Sequence, residues 1–121
     1  MSKKLACVID FDHRYLAAIT DELKGNYDVV LDQNHGHDAM GIIADRDVEL
    51  VIFNADQSID KLKSLIQSMG ILSKNIPIVI CSAILRSNDA VDLVRMGIND
   101  VVETPFDRGT LERRIQAIEH F

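Results

Sequence analysis

The chain has 121 residues, a net charge of −6, 47% hydrophobic residues and 26% charged residues. That length suits one domain, residues 1–121, able to bury roughly two-thirds of its unfolded surface without disulfide or metal staples. The acidic balance argues against nucleic acid or an anionic membrane as a direct partner, and no apolar run approaches membrane-spanning length.

Met1-Ser2-Lys3-Lys4 leads straight into the apolar run Leu5 to Ile9, a strand pattern and not a secretion signal. Asp10-Phe11-Asp12-His13 follows as a loop. Tyr15, Leu16, Ile19 and Leu23 are spaced for one face of a helix that Gly25-Asn26 ends. Tyr27 to Leu31 reads as a second strand and Asp32-Gln33-Asn34-His35-Gly36 as a loop. Asp38 is placed to start a helix carrying Ala39, Ile42 and Ile43, which Asp45-Arg46-Asp47 closes.

Leu50 to Phe53 is a continuous apolar run bounded by polar residues, the pattern of a strand buried on both faces. Asn54 stands where that strand ends. Asp60 opens a helix with Leu62, Leu65, Ile66 and Met69 on one face. Pro77 leads the run Ile78-Val79-Ile80-Cys81, a fourth buried strand. Asn88 to Met96 is a helix with Val91 and Val94 expected inward, ended by Gly97. Asp100-Val101-Val102 is a short fifth strand, Thr104-Pro105-Phe106 turns, and Thr110 to His120 is a last helix with Leu111, Ile115 and Ile118 on one face. Cys7 and Cys81 both lie inside apolar runs, which fits two reduced core thiols in a cytoplasmic protein better than a disulfide.

Strands alternating with helices need a parallel sheet covered on both faces. The expected class is α/β, a flavodoxin-like doubly wound three-layer sandwich, (βα)5, with strand order 2-1-3-4-5. Ligands and chemistry in such sheets gather at the carboxyl ends of the strands. Asn54 is there, with the residues that follow the first, fourth and fifth strands.

The residues His35-Gly36-His37-Asp38-Ala39 through Ile42-Ile43 to Asn54 carry a resemblance. So do Pro77-Ile78-Val79-Ile80-Cys81-Ser82-Ala83, Met96-Gly97-Ile98-Asn99-Asp100 and Thr104-Pro105-Phe106. In that order and spacing the chain resembles, over its whole length, the receiver domain of bacterial response regulators, the chemotaxis-type or CheY-like fold of two-component signal transduction and phosphorelay. The resemblance implies phosphoryl transfer from a phosphohistidine to an aspartate at the third strand's end. It also implies one or two carboxylates after the first strand holding Mg²⁺, a hydroxyl after the fourth strand and a lysine after the fifth. A cis bond before Pro105 is implied as well.

Position by position, this sequence departs from that pattern. The nucleophile's place holds Asn54, an amide that cannot attack as a carboxylate does. The acidic pair maps to Asp10 with an apolar neighbour, Phe11 by helix pattern or Ile9 by helix length. The hydroxyl is kept as Ser82, the lysine's place holds Thr104 before Pro105, and the switch aromatic of the fifth strand is Val101. The loop after Asn54 is shorter by about four residues.

The expectation is a non-enzymatic pseudo-receiver with no cofactor. Its remnant pocket comprises Asp10, Phe11, Asp12, Asn54, Ser82, Thr104 and Pro105. Asp10 and Asp12, with His13 beside them, form at most a remnant metal site, and the bland reading is a solvated loop in which Asp12 caps the first helix. His35 and His37 form a His-x-His pair with no third ligand in reach by sequence. Asn54 stands either as a mimic of a modified aspartate or as a polar residue satisfying its surroundings.

Signal is expected to leave through the fourth helix, fifth strand and fifth helix, by a protein partner or self-association, with Arg95, Asp100, Val101, Arg113 and Arg114 on that face. Asp100 and Arg114 read either as interface charges or as a weak surface pair. An output domain beyond Phe121 is left open. The alternatives are a working receiver using Asp56 or Asp10 as phosphoacceptor, and a small-ligand-binding flavodoxin-like domain. Against the latter, no Gly-rich phosphate loop follows any strand.

Overall fold

A computed structural model of the chain describes residues 3–11, 13–34, 36–54, 59–71, 75–83 and 87–119. Strands and helices alternate: β1 (Lys4–Asp10), α1 (Leu16–Leu23), β2 (Tyr27–Asp32), α2 (Ala39–Asp45), β3 (Val48–Asn54), α3 (Ile59–Ile71), β4 (Ile78–Ser82), α4 (Ser87–Arg95), β5 (Asp100–Glu103) and α5 (Thr110–Glu119). A 3-10 turn, His13–Tyr15, precedes α1. The strands pair in parallel in the order β2-β1-β3-β4-β5, the flavodoxin-like doubly wound arrangement.

The continuous apolar runs have a direct cause. Successive side chains of a strand point to opposite faces, and here both faces are covered. Cys7, Ile9, Val51, Phe53 and Ile80 pack with Ala39 and Ile43 of α2, Leu62 and Ile66 of α3, and Leu93 of α4. Ala6, Val8, Leu50, Ile52, Val79 and Cys81 pack on the other side with Ile19 and Leu23 of α1 and Leu111 and Ile115 of α5. Burying one such side chain is worth about 1.5–3 kcal/mol, so two cores on one sheet are what hold the strand ends level.

The C-terminus of α4 shows how the chain is turned back into the sheet. Gly97 sits at φ +107°, and its N–H donates to Val94 O at 3.0 Å while Ile98 N–H donates to Leu93 O at 3.2 Å. This is a Schellman closure, with Ile98 and Leu93 in the same core cluster.

Two expectations are overturned. Val91 and Val94 do not face inward: they are 49% and 55% exposed, and Leu93 is fully buried instead. Each helical step turns about 100°, so pointing Leu93 at the sheet carries Val91 to the far side and Val94 to the flank. The half-buried Ala90 and Met96, three residues either side of Leu93, complete the inward stripe. Asp32 is not a loop residue but the last residue of β2, fully buried and paired with Ile9 of β1. Asp38 does stand at the start of α2, but its side chain makes no capping hydrogen bond.

Candidate functional site

The register of the sheet sets the site. Asp10, last in β1, is level with Asn54, last in β3; Asn54 is level with Cys81; and Ser82, last in β4, is level with Glu103. Thr104 follows at once, its N–H donating to Ser82 O at 3.1 Å. Asp10, Asn54, Ser82 and Thr104 are all buried, although each is polar. Four buried polar side chains thus lie at the carboxyl ends of neighbouring strands, where the resemblance implies the crevice.

Asp10 is the charge at its centre. Its Oδ1 accepts a 2.7 Å hydrogen bond from Asn54 Nδ2. Its Oδ2 lies against His13 Nδ1, a close contact and not an aligned hydrogen bond. The carboxylate is only an acceptor, so the Asn54 amide must present its NH₂ side to Asp10. A hydrogen bond to a charged group of this kind contributes about 1.5–3 kcal/mol. Phe11, the next residue, has its N–H held by Asn54 O at 2.8 Å, and its ring stacks on Phe53 with centroids 6.5 Å apart and planes 7° apart. Ile9, the other register considered for the acidic pair, is fully buried in β1 and faces the core.

The Thr104 hydroxyl is buried with no hydrogen-bond partner among the described residues. Thr104-Pro105 is cis, as the resemblance implies. Val101 is half buried and packs at the edge of the core. Asp12, His35 and Asp56 lie outside the described residues, so the readings that rest on them, the helix cap, the His-x-His pair and the alternative phosphoacceptor, do too. His37 is exposed. Among the described residues no three His, Cys, Asp or Glu side chains converge for a metal ion.

Two site features escaped the sequence. His13 was placed near the pocket but not on Asp10, although the spacing of three residues across a turn was the available signal. Asp32 carries a second buried carboxylate, whose Oδ1 accepts from Asn34 N–H at 2.7 Å. That is the Asx turn the Asp-x-Asn spacing allows. Its Oδ2 has no hydrogen-bond partner among the described residues, and burial first, then the Asp32 charge, pushes the Cys7 thiol up to about 12.

On the outer face formed by α4, β5 and α5, Val91, Val94 and Arg95 are exposed and line one hollow with Asp100 and Val101, while Arg113 of α5 is exposed with its Nη2 donating to Thr110 Oγ1 at 3.4 Å. Asp100 and Arg114 grip one another: Nε to Oδ2 and Nη2 to Oδ1, each 2.6 Å. This bidentate bond pushes the Arg114 guanidinium up from its usual value. Both charges are thus already paired within the chain.

No protein-family model matches the sequence, and no curated protein matches it significantly. Solved structures do match in fold. A two-component response regulator from Clostridium difficile superposes with a TM-score of 0.83 at 18% identity, covering 98% of this chain and 97% of that one. A response regulator from Desulfuromonas acetoxidans gives 0.81 at 20% identity, with 97% of each chain covered. A CheY-like response regulator receiver domain protein from Methanospirillum hungatei JF-1 gives 0.80 at 16%, covering 98% and 96%. The chain has the receiver fold over nearly its whole length.

Proposed function

We propose that this chain is a receiver-type signalling domain that does not accept a phosphoryl group and transmits by protein contact. The observation that carries the reading is Asn54 at the end of β3, its amide donating to Asp10. An amide so placed offers no carboxylate to attack phosphorus. Thr104 stands where the resemblance puts a lysine, and a neutral hydroxyl cannot neutralise developing charge on phosphoryl oxygens as an ammonium does. Asp10 is a poor substitute nucleophile, being fully buried with both oxygens against protein atoms.

Recognition then falls to an outer surface. We assign it to α4, β5 and α5, where Val91 and Val94 are exposed beside Arg95. A protein partner or a second copy would seat on that apolar patch. Asp100 and Arg114 contribute less than a twofold charge contact would, because they already satisfy each other.

The deciding experiment is intact-mass measurement after incubation with acetyl phosphate or phosphoramidate and Mg²⁺. The mass is expected to stay unchanged, and Asn54→Asp alone is expected to gain little or no label. A single phosphoryl adduct on the unmodified chain, lost in Asp56→Asn or Asp10→Asn, overturns the reading.

A further inference from the structure

The receiver fold brings with it the expectation of Mg²⁺ at the ends of β1 and β3, and the described residues do not fit the ion. Mg²⁺ takes a near-octahedral shell of oxygens and, beside its waters, needs carboxylate oxygens aimed at it. Here Asp10 Oδ1 is taken by the Asn54 amide and Oδ2 faces His13. Asn54 turns an N–H group, not an oxygen, toward the carboxylate. Phe11 brings a hydrocarbon ring to the position after Asp10 and keeps it stacked on Phe53.

A buried carboxylate still needs compensation, because an unpaired charge out of water costs several kcal/mol. We propose that the compensation is internal: Asn54 donates to Oδ1, His13 covers Oδ2, and the chain His13–Asp10–Asn54 closes the strand ends without a divalent cation. The placement suits this. His13 opens the 3-10 turn between β1 and α1, with its side chain 66% exposed and Asp10 fully buried. The ring therefore reaches from solvent onto Oδ2, while Asn54 ties Oδ1 to β3. The chain joins the first loop to the two central strands with groups the sequence itself carries. This inference rests on the reading above that Asn54 replaces a phosphoacceptor, but it is tested separately. His13 is a positioning residue here, acting through Asp10.

The test uses Mn²⁺ as a paramagnetic probe and Mg²⁺ as the diamagnetic control, on the whole chain followed by amide NMR. In the wild-type protein, millimolar Mn²⁺ should leave the amide signals of Asp10, Phe11 and Asn54 as sharp as those of the core. His13→Gln should lower the melting temperature by on the order of 5 °C. His13→Lys should recover most of that loss, since an ammonium placed there meets the same carboxylate oxygen. In His13→Gln with Phe11→Asp, Mn²⁺ should broaden the crevice amides selectively. Selective broadening in the wild-type protein, abolished by Asp10→Asn, overturns the inference. So does a His13→Gln variant as stable as wild type, or no more stable with lysine than with glutamine. If the double variant does not fold, the wild-type titration and the glutamine–lysine comparison decide. Cation binding without a phosphoryl adduct would refute this inference alone and leave the proposed function standing; an adduct would refute that function.

Discussion

Gly36 sits at φ +87°, and a Cβ built there would lie 2.5 Å from Leu65 Cδ1. Left-handed backbone costs a non-glycine residue about 1–2 kcal/mol, and the clash adds to it. Gly36→Ala should therefore destabilise by about 2–3 kcal/mol in urea unfolding. Gly41, inside α2, is the contrast: nothing lies within 4 Å of its added Cβ. Gly41→Ala should be neutral or gain up to about 1 kcal/mol, because alanine loses less entropy in a helix. Equal effects at the two sites would show that the loop before α2 is not pressed against α3.

The two thiols make a second residue-scale case. Burial pushes both Cys7 and Cys81 from an ordinary value of 9.0 up to about 12. Between those limits the unfolded chain has released the protons that the folded chain still holds. Stability due to these groups is then whole below about pH 9 and falls as pH rises toward 12. The urea midpoint of Cys7→Ala with Cys81→Ala should decline less steeply over that range than the wild type's. A thiol reagent at pH 8 should label neither cysteine until denaturant is added.

Among the elements, α5 has a cap that comes from elsewhere. Glu22, near the end of α1, accepts hydrogen bonds from Gly109 N–H at 3.1 Å, Leu111 N–H at 3.2 Å and Glu112 N–H at 3.4 Å. A carboxylate there satisfies free N–H groups and meets the positive end of the helix dipole. Glu22→Ala should cost about 1–2 kcal/mol, with hydrogen-exchange protection lost first at residues 109–112. Glu22→Gln should fall between, keeping an acceptor without the charge. If protection is lost evenly over the molecule, the bond does not serve α5 in particular. The same helix is tied to β5 by Asp100 and Arg114, so two side-chain links set the angle at which α5 crosses the sheet.

For the molecule as a whole, the outward turn of α4 sets where the proposed contact would fall. Val91 and Val94 face solvent because Leu93 fills the core, and exposed apolar side chains grouped on one face suit recognition. A weak association through α4, β5 and α5 is expected, insensitive to phosphodonors. Val94→Asp should weaken it several-fold in sedimentation with unchanged circular dichroism. Arg114→Glu should act on folding instead, by about 0.2–1 kcal/mol, and Arg114→Glu with Asp100→Arg should recover the loss. An association indifferent to Val94→Asp, or a partner that maps to α2, would place the output face elsewhere.

The alternation of five apolar runs with helical spacings was open to sequence reasoning, because a strand covered on both faces has to be apolar throughout. The identities of Asn54 and Thr104 were equally open: an amide and a hydroxyl carry their chemistry wherever they are placed. The rotation of α4 was not, since Val91–Val94 and Ala90–Leu93–Met96 are both spaced to line one helix face, and only the cavity under the helix chooses between them. Nor was the burial of Asp32, which depends on β2 running one residue further beside β1. Glu22 and Gly109 meet across 87 residues, Asn54 and Asp10 across 44, and Arg114 and Asp100 across a strand-to-helix turn. Those partners are set by sheet order and register, which no local window of residues contains, so the tertiary structure alone determined which charges in this chain are already spoken for.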